Sequence, residues 1–240
     1  MNTVKLTTIL FDLDGTLLPM DQDRFIRQYF SSLTQKLAPY GYAAEELIGN
    51  IWKGTAAMIR NDGGCRNEEI FWKVFRDTYG EKVLDQIPVF DNFYREEFQN
   101  IRTFCGFDPR AAQTVRKFRE NGYTVALATN PVFPRIATES RIRWAGMVPE
   151  DFALITTYEN SVHCKPNPLY YADIARTLGV RPEECLMVGN DVTEDMVASK
   201  TGMRVFLLTD CLINNEGREI ESFPHGSYPE LTEYVRSEEV

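Results

Sequence analysis

The stretch Ile9-Leu10-Phe11-Asp12-Leu13-Asp14-Gly15-Thr16 constrains this chain more than any other. Three apolar residues end a buried strand, and two carboxylates follow with one residue between them. On extended backbone, side chains two apart point the same way. Asp12 and Asp14 are therefore expected side by side, just past the strand's carboxyl end. Gly15 lets the chain turn sharply there. Open α/β sheets bind ligands at that edge. Two carboxylates held close repel each other, and one pKa rises unless a cation sits between them. Such a pair suits one ionised nucleophile beside one proton carrier, with a divalent metal to hold the charge. Taken alone, the motif also fits an Asx turn after an edge strand, so the rest of the chain has to supply partners.

After this strand the periodicity becomes helical. Phe25, Ile26, Tyr29, Phe30, Leu33 and Leu37 recur at three-to-four spacing and predict an amphipathic helix. Glu45 to Arg60 predicts a second, weakened by Gly49 and Gly54, and Asn61-Asp62-Gly63-Gly64 breaks it. A third helix centres on Ile70 to Phe75 and closes at Gly80, and a fourth runs from Phe90 to Ile101. Residues 20–103 thus read as an all-helical insertion whose many aromatic residues form its own core.

From Phe107 the texture alternates. Helices are predicted over 109–121, 134–144, 168–178 and 194–201, and strands over 123–128, 152–156, 185–189 and 204–208. Strands separated by helices of this length imply parallel pairing with right-handed crossovers. The last thirty or so residues read as polar and irregular, with one short helix near 229–236.

Length and charge narrow the function. A chain of 240 residues can bury one full core plus a smaller module. A net charge of −9 disfavours nucleic acid or an anionic membrane as the main partner. It leaves room for an anionic small molecule, because local cations decide that. No apolar run reaches spanning length, and no signal-peptide pattern is present. Cys65, Cys105, Cys164, Cys185 and Cys211 are scattered, odd in number and free of any Cys-x-x-Cys pair. They predict reduced thiols in a cytoplasmic protein.

Polar residues close three further segments. Ala128 leads into Thr129-Asn130-Pro131, where a hydroxyl and free backbone N–H groups can hold phosphate oxygens. In His163-Cys164-Lys165-Pro166-Asn167-Pro168 the two prolines stiffen the loop and fix where Lys165 points. A rigid ammonium beside clustered carboxylates neutralises charge and orients a nucleophile. His163 and Cys164 have no matching Cys/His/Asn set and are read as incidental. Gly189-Asn190-Asp191-Val192-Thr193-Glu194-Asp195 forms a second acidic cluster. One of its carboxylates can complete an oxygen shell for Mg²⁺, and another can hold Lys165. The same stretch also fits an acidic helix N-cap.

This set resembles the haloacid dehalogenase-like (HAD) hydrolase superfamily over about Lys5 to Leu208. The first family motif looks like Asp12-Leu13-Asp14-Gly15-Thr16, the second Thr129, the third Lys165 with Pro166, and the fourth Gly189-Asn190-Asp191 through Asp195. The run Lys165-Pro-Asn-Pro, then Leu178-Gly-Val-Arg-Pro-Glu-Glu, then Val188-Gly-Asn-Asp is similar to the phosphoglycolate-phosphatase-like branch. The resemblance implies an α/β fold. Its core, residues 1–19 and 104–240, is a Rossmann-like parallel sheet with helices on both faces. Its helical cap, residues 20–103, is inserted after the first motif. One departure stands out: the last motif usually reads Gly-Asp, and here Asn190 follows Gly189. Either Asn190 replaces the metal-binding acid, or Asp191 takes the position through a one-residue shift, which is the reading adopted, with Asp195 supporting Lys165 or the metal.

The resemblance further implies a Mg²⁺-dependent phosphomonoesterase acting on a small phosphorylated metabolite. Asp12 is the expected nucleophile, Asp14 the acid and base, and Thr129, Asn130 and Lys165 the phosphate ligands. Asp12, the main-chain carbonyl of Asp14, Asp191 and Asp195 are the expected metal ligands. Dehalogenases of the family lack the second aspartate, so Asp14 argues against that reaction. A phosphonate-cleaving enzyme would need a cap lysine, for which Lys53 is available. A sugar phosphomutase shares all four motifs, and a non-catalytic phosphate-ligand sensor is compatible with the Asn190 departure. Trp52, Arg60 and Arg66 are cap residues that could face the cleft and set the substrate.

Overall fold

The structure, a computed structural model, describes residues 4–238. β1 (Thr8–Phe11) is buried along its whole length, as befits a strand covered on both faces. The chain then runs through four helices: α1 (Gln22–Leu37), α2 (Ala44–Ile59), α3 (Asn67–Tyr79) and α4 (Ile87–Arg95). Asp21 starts α1 by accepting the N–H of Arg24 at 3.0 Å. The remaining elements are α5 (Pro109–Glu120), β2 (Thr124–Leu127), α6 (Arg135–Trp144), α7 (Pro168–Leu178), β3 (Cys185–Gly189), β4 (Arg204–Leu208), β5 (His225–Gly226) and α8 (Tyr228–Ser237).

Among the described residues the strands form one parallel sheet in the order β2-β1-β3-β4-β5. Alternation along the strands divides the core. Ile9, Phe11, Val125, Leu127, Val188 and Phe206 face α5, α6 and α8. Leu10, Ala126, Met187 and Leu207 face α7 and the segment 196–203. Helices thus cover both faces, as the α/β reading predicts. The first apolar cluster continues without a break into the aromatic interior of α1 to α4. α3 is tied to the loops beneath it by buried Asn67, which donates to the Pro131 carbonyl at 3.2 Å and through its N–H to Ser161 at 2.9 Å. No helix among the described residues is long and apolar enough to cross a membrane.

Four expectations need correction, each for a local reason. The strand over 152–156 is reduced to a bridge between Leu127 and Ile155. Its backbone does bond β2, but Thr156 turns its hydroxyl onto the Thr129 carbonyl at 2.7 Å and ends the ladder. The helix over 194–201 is a 3₁₀ segment, Met196–Thr201. Ahead of it, Asp191 Oδ1 takes the N–H groups of Thr193 and Glu194 at 2.7 and 2.8 Å, an Asx turn that competes with helix. The helix expected over 90–101 stops at Arg95 and resumes as a 3₁₀ segment, Glu97–Phe104, because the Gln99 side chain captures the Tyr94 carbonyl at 2.7 Å. The tail contributes a fifth, two-residue strand, too short to leave a period.

Candidate active site

Every segment singled out for chemistry arrives at one edge of the sheet. β1 extends one residue beyond Phe11, with the Asp12 N–H donating to Val188 on β3 at 2.9 Å. The chain then doubles back: Gly15 has φ +87°, and its N–H reaches the Leu18 carbonyl at 2.8 Å. This hairpin-like turn sends Asp12 and Asp14 into one pocket of about 260 Å³, whose wall also carries Thr129, Asn130, Asp191 and Glu194.

Lys165 is 1% exposed, and its ammonium bridges Asp12 Oδ1 at 2.8 Å and Asp195 Oδ1 at 2.6 Å. The Lys165–Pro166 peptide is cis. Burial works against this ammonium, yet the two carboxylates hold its pKa well above the ordinary lysine range. Burial also lifts Asp12; Lys165 opposes the rise, while Asp195 and Asp14 add to it, leaving the pKa pushed up to about 7. Glu194 is likewise raised to about 7 by burial, and Asp191 is raised by burial against the pull of its backbone donors.

Asp195 spends both oxygens inside the protein, one on Lys165 and one on the Asp191 N–H at 3.0 Å. Of its two expected roles, this geometry is that of the Lys165 support rather than the metal ligand. Asn190 also faces inward. Its amide accepts from the Thr16 hydroxyl at 2.9 Å and donates to the Cys211 carbonyl at 2.7 Å, beneath Gly15. Asp191 is left on the pocket wall, with Oδ1 fixed by its own Asx turn.

The site brings a residue that the motif reading missed. Arg141 on α6 is 1% exposed, forms an ion pair with Asp14 Oδ2, and lies 4.4 Å from the centroid of the Phe133 ring. The signal was present: Arg141 sits at i+4 from Ala137 and i−3 from Trp144, on the buried stripe of its helix. Asn130 donates to both oxygens of Glu194 at 3.1 and 3.2 Å.

Among the cap candidates only Trp52 lines the pocket; Lys53, Arg60 and Arg66 are exposed and lie outside its wall. Cys164 and His163 are spoken for elsewhere. Asn67 donates to the Cys164 sulfur at 3.2 Å, and burial pushes that thiol up to about 12. His163 Nδ1 pairs with Asp173 at 2.6 Å.

Whether this site suits Mg²⁺ is a question of charge and donors. Five carboxylates (Asp12, Asp14, Asp191, Glu194 and Asp195) meet two cations, Lys165 and Arg141. Burial is the main cause of the raised carboxyl pKa values, and the neighbouring Asp195 adds to each of them. Asp14 Oδ1 is buried without a hydrogen-bond partner. No three His, Cys, Asp or Glu side chains gather as a ready-made cluster among the described residues. A hard cation that keeps most of its waters needs only one or two carboxylates. The donor set therefore fits Mg²⁺.

Tight packing behind the site gives a first expected result. A Cβ on Gly189 would fall 2.1 Å from Asp195 Oδ2 and 2.6 Å from Asp195 Cβ. Asp195 has no free direction to yield. Gly189→Ala should cost about 1–3 kcal/mol and lower the melting temperature by several degrees; an unchanged thermal melt would show that the segment 190–195 shifts freely.

The sequence profile of the haloacid dehalogenase-like hydrolases matches residues 6–201. The pyrophosphatase PpaX of Bacillus cereus (strain AH820) is 24% identical over 190 residues, covering 78% of this chain and 76% of that protein. A predicted phosphoglycolate phosphatase from Haemophilus somnus 129pt superposes with a TM-score of 0.58 at 17% identity, over 98% of this chain and all of the other. A 2-haloacid dehalogenase from Pseudomonas syringae pv. Tomato DC3000 superposes with a TM-score of 0.62 at 17% identity, over 97% and 98% of the two chains. The two solved structures share the fold of this chain.

Proposed function

Because the chain belongs to the haloacid dehalogenase-like hydrolases, we propose that it is a Mg²⁺-dependent phosphomonoesterase working through an aspartyl-phosphate on Asp12. The observation that carries this reading is the buried Lys165 behind the pocket, 2.8 Å from Asp12 and 2.6 Å from Asp195, two carboxylates of the wall on which Asp14 also stands.

Asp12 is fixed by Lys165 with one oxygen, leaving the other to attack phosphorus. The P–O bond to the alcohol breaks as the Asp12–phosphorus bond forms. Asp14 gives its proton to the departing alkoxide. With the alcohol gone, Asp14 takes a proton from water as that water attacks the phosphorus, releasing inorganic phosphate and restoring Asp12. Thr129 and Asn130 bind the phosphoryl oxygens at the end of β2. Asp12, the Asp14 carbonyl and Asp191 would hold Mg²⁺, which supplies charge neutralisation between the nucleophile and the phosphoryl group. Helices α1 to α4 act as the cap that excludes water and reads the leaving group. The setting is cytoplasmic, supported by five free thiols.

The test is phosphate release from p-nitrophenyl phosphate. Turnover should require Mg²⁺, vanish with EDTA and return on adding Mg²⁺. Turnover that ignores EDTA would remove the metal from the mechanism.

Arg141 is the positioning residue for Asp14. Its guanidinium reaches the carboxylate while resting on Phe133 and lying 3.4 Å from the Thr138 hydroxyl. Arg141→Met should lower kcat about 10²-fold, with a smaller change in KM. Arg141→Lys should rescue little, since an ammonium cannot stack and reach at once. Full activity in either variant would leave Asp14 oriented by something else.

A further inference from the structure

Behind the catalytic pocket lies a second cavity of about 160 Å³, between helices α1 to α4 and the loop that follows β2. The two spaces share a wall made by Ile26, Trp52, Thr55, Val132 and Phe133. Beyond that wall the lining is almost wholly apolar and aromatic, with Phe30, Phe71 and Tyr94 among its rings. The Tyr29 and Tyr94 hydroxyls satisfy one another at 2.9 Å and offer little to a guest. Trp52 and Ile59, which also line the catalytic pocket, are 48% and 40% exposed, an apolar margin open to solvent.

The distribution of charge is as telling. Among the described residues no lysine, arginine or histidine lines the cavity, and its one charged residue is Asp91. Arg141 is, among the described residues, the only cation on the catalytic pocket's wall, and it is committed to Asp14. Lys165 is committed to Asp12 and Asp195. A substrate with a second anionic group, a diphosphate or a carboxylate, would find carboxylates and no spare cation. An uncharged apolar group would find rings. A cavity of this size and largely apolar lining accepts a benzene-sized guest.

We propose that this cavity receives the leaving group, so that the enzyme's substrates are monophosphate esters of apolar alcohols bearing a phenyl-sized group. The cavity and the pocket where Asp12 and Asp14 act are lined in common by Ile26, Trp52, Thr55, Val132 and Phe133, so a phosphoryl group and an apolar tail would occupy neighbouring spaces once these side chains part. This assignment rests on the phosphatase reading above and adds the substrate class to it.

The experiment compares esters with matched aliphatic leaving groups: ethyl, 2-phenylethyl and 3-phenylpropyl phosphate, alongside inorganic pyrophosphate and 2-phosphoglycolate, all with Mg²⁺. At least one phenylalkyl ester should exceed ethyl phosphate, pyrophosphate and phosphoglycolate in kcat/KM by tenfold or more. 2-Phenylethanol should inhibit competitively at concentrations where ethanol does not. Ile51→Trp, which puts an indole into the cavity from a residue outside the shared wall, should bring the ratio of phenylalkyl to ethyl turnover close to one. The inhibition measurement uses the wild-type enzyme and stands even if that variant does not fold. Equal turnover of ethyl and phenylalkyl esters, or a preference for pyrophosphate or phosphoglycolate, overturns the substrate class while leaving the phosphatase intact. Turnover of p-nitrophenyl phosphate but of none of the five overturns the substrate class alone, and hydrolysis of neither the five nor p-nitrophenyl phosphate overturns the phosphatase reading and this assignment with it.

Discussion

Asp12→Asn should abolish phosphate release, by about 10⁴-fold or more, and yield a protein at least as stable as the wild type at pH 8. The two halves of this result have different causes. An amide has no anionic oxygen to form the phosphoryl ester, so the covalent route closes. The fold loses little, because the amide oxygen can still accept from Lys165 where Asp12 Oδ1 does now, at 2.8 Å.

Stability follows from the sign of the carboxyl's shift. Burial, with Asp195 and Asp14 nearby, raises Asp12 from 3.8 to about 7 although Lys165 pulls the other way. A carboxyl raised on folding binds its proton more tightly in the native state than in the unfolded chain. Its favourable contribution is complete below about pH 4 and is lost as the pH rises through 7. At pH 8 the wild type carries an ionised, buried Asp12, and the asparagine variant is spared that cost. At pH 5 most of the advantage should be gone. Melts of both proteins without metal at the two pH values check this. A variant much less stable than wild type at pH 8 would mean that the Asp12 charge supports the fold through Lys165. Retained turnover would end the aspartyl-phosphate proposal.

What the sequence disclosed about this molecule follows the kind of interaction involved. The apolar runs at 8–11, 185–189 and 204–208 became strands, because a buried parallel strand must be apolar on both sides. Asp12, Asp14, Thr129 and Lys165 could be singled out because each follows a strand or sits in a proline-stiffened loop, where backbone decides direction. Arg141 could not be read from a motif. Its role depends on α6 being packed so that one arginine on an apolar stripe meets Asp14, a contact 127 residues away in sequence. Asn190 was legible only as a departure; that its amide braces Thr16 and Cys211 is a fact of packing. Periodicity predicts an α-helix over 194–201 where a 3₁₀ segment forms at Met196–Thr201, because it counts apolar residues and does not see the Asx turn at Asp191. The apolar cavity was hidden for the same reason. Its aromatic residues look like ordinary helix core until the helices are set against Val132 and Phe133.

Lys165→Met should remove most activity and also destabilise the protein, by about 3–5 kcal/mol. The ammonium is 1% exposed and is shared by two carboxylates within 2.8 Å, so its loss leaves both Asp12 and Asp195 buried without their counter-ion. Methionine fills much of the volume, which confines the effect to charge. The activity loss should be about 10²–10³-fold, the scale of removing one fixed donor from a developing anion. A double-mutant cycle separates pairing from packing. Asp195→Asn alone should also destabilise, since Asp195 supplies one oxygen to Lys165 and the other to the Asp191 N–H. Combined with Lys165→Met, the total should fall short of the sum of the single costs by about 1–3 kcal/mol. Once the ammonium is gone, neutralising Asp195 removes a repulsion with Asp12 instead of an attraction to Lys165. Strict additivity in chemical denaturation would mean that Lys165 and Asp195 act on the fold independently, and that the bridge to Asp12 is held by the loop's prolines alone.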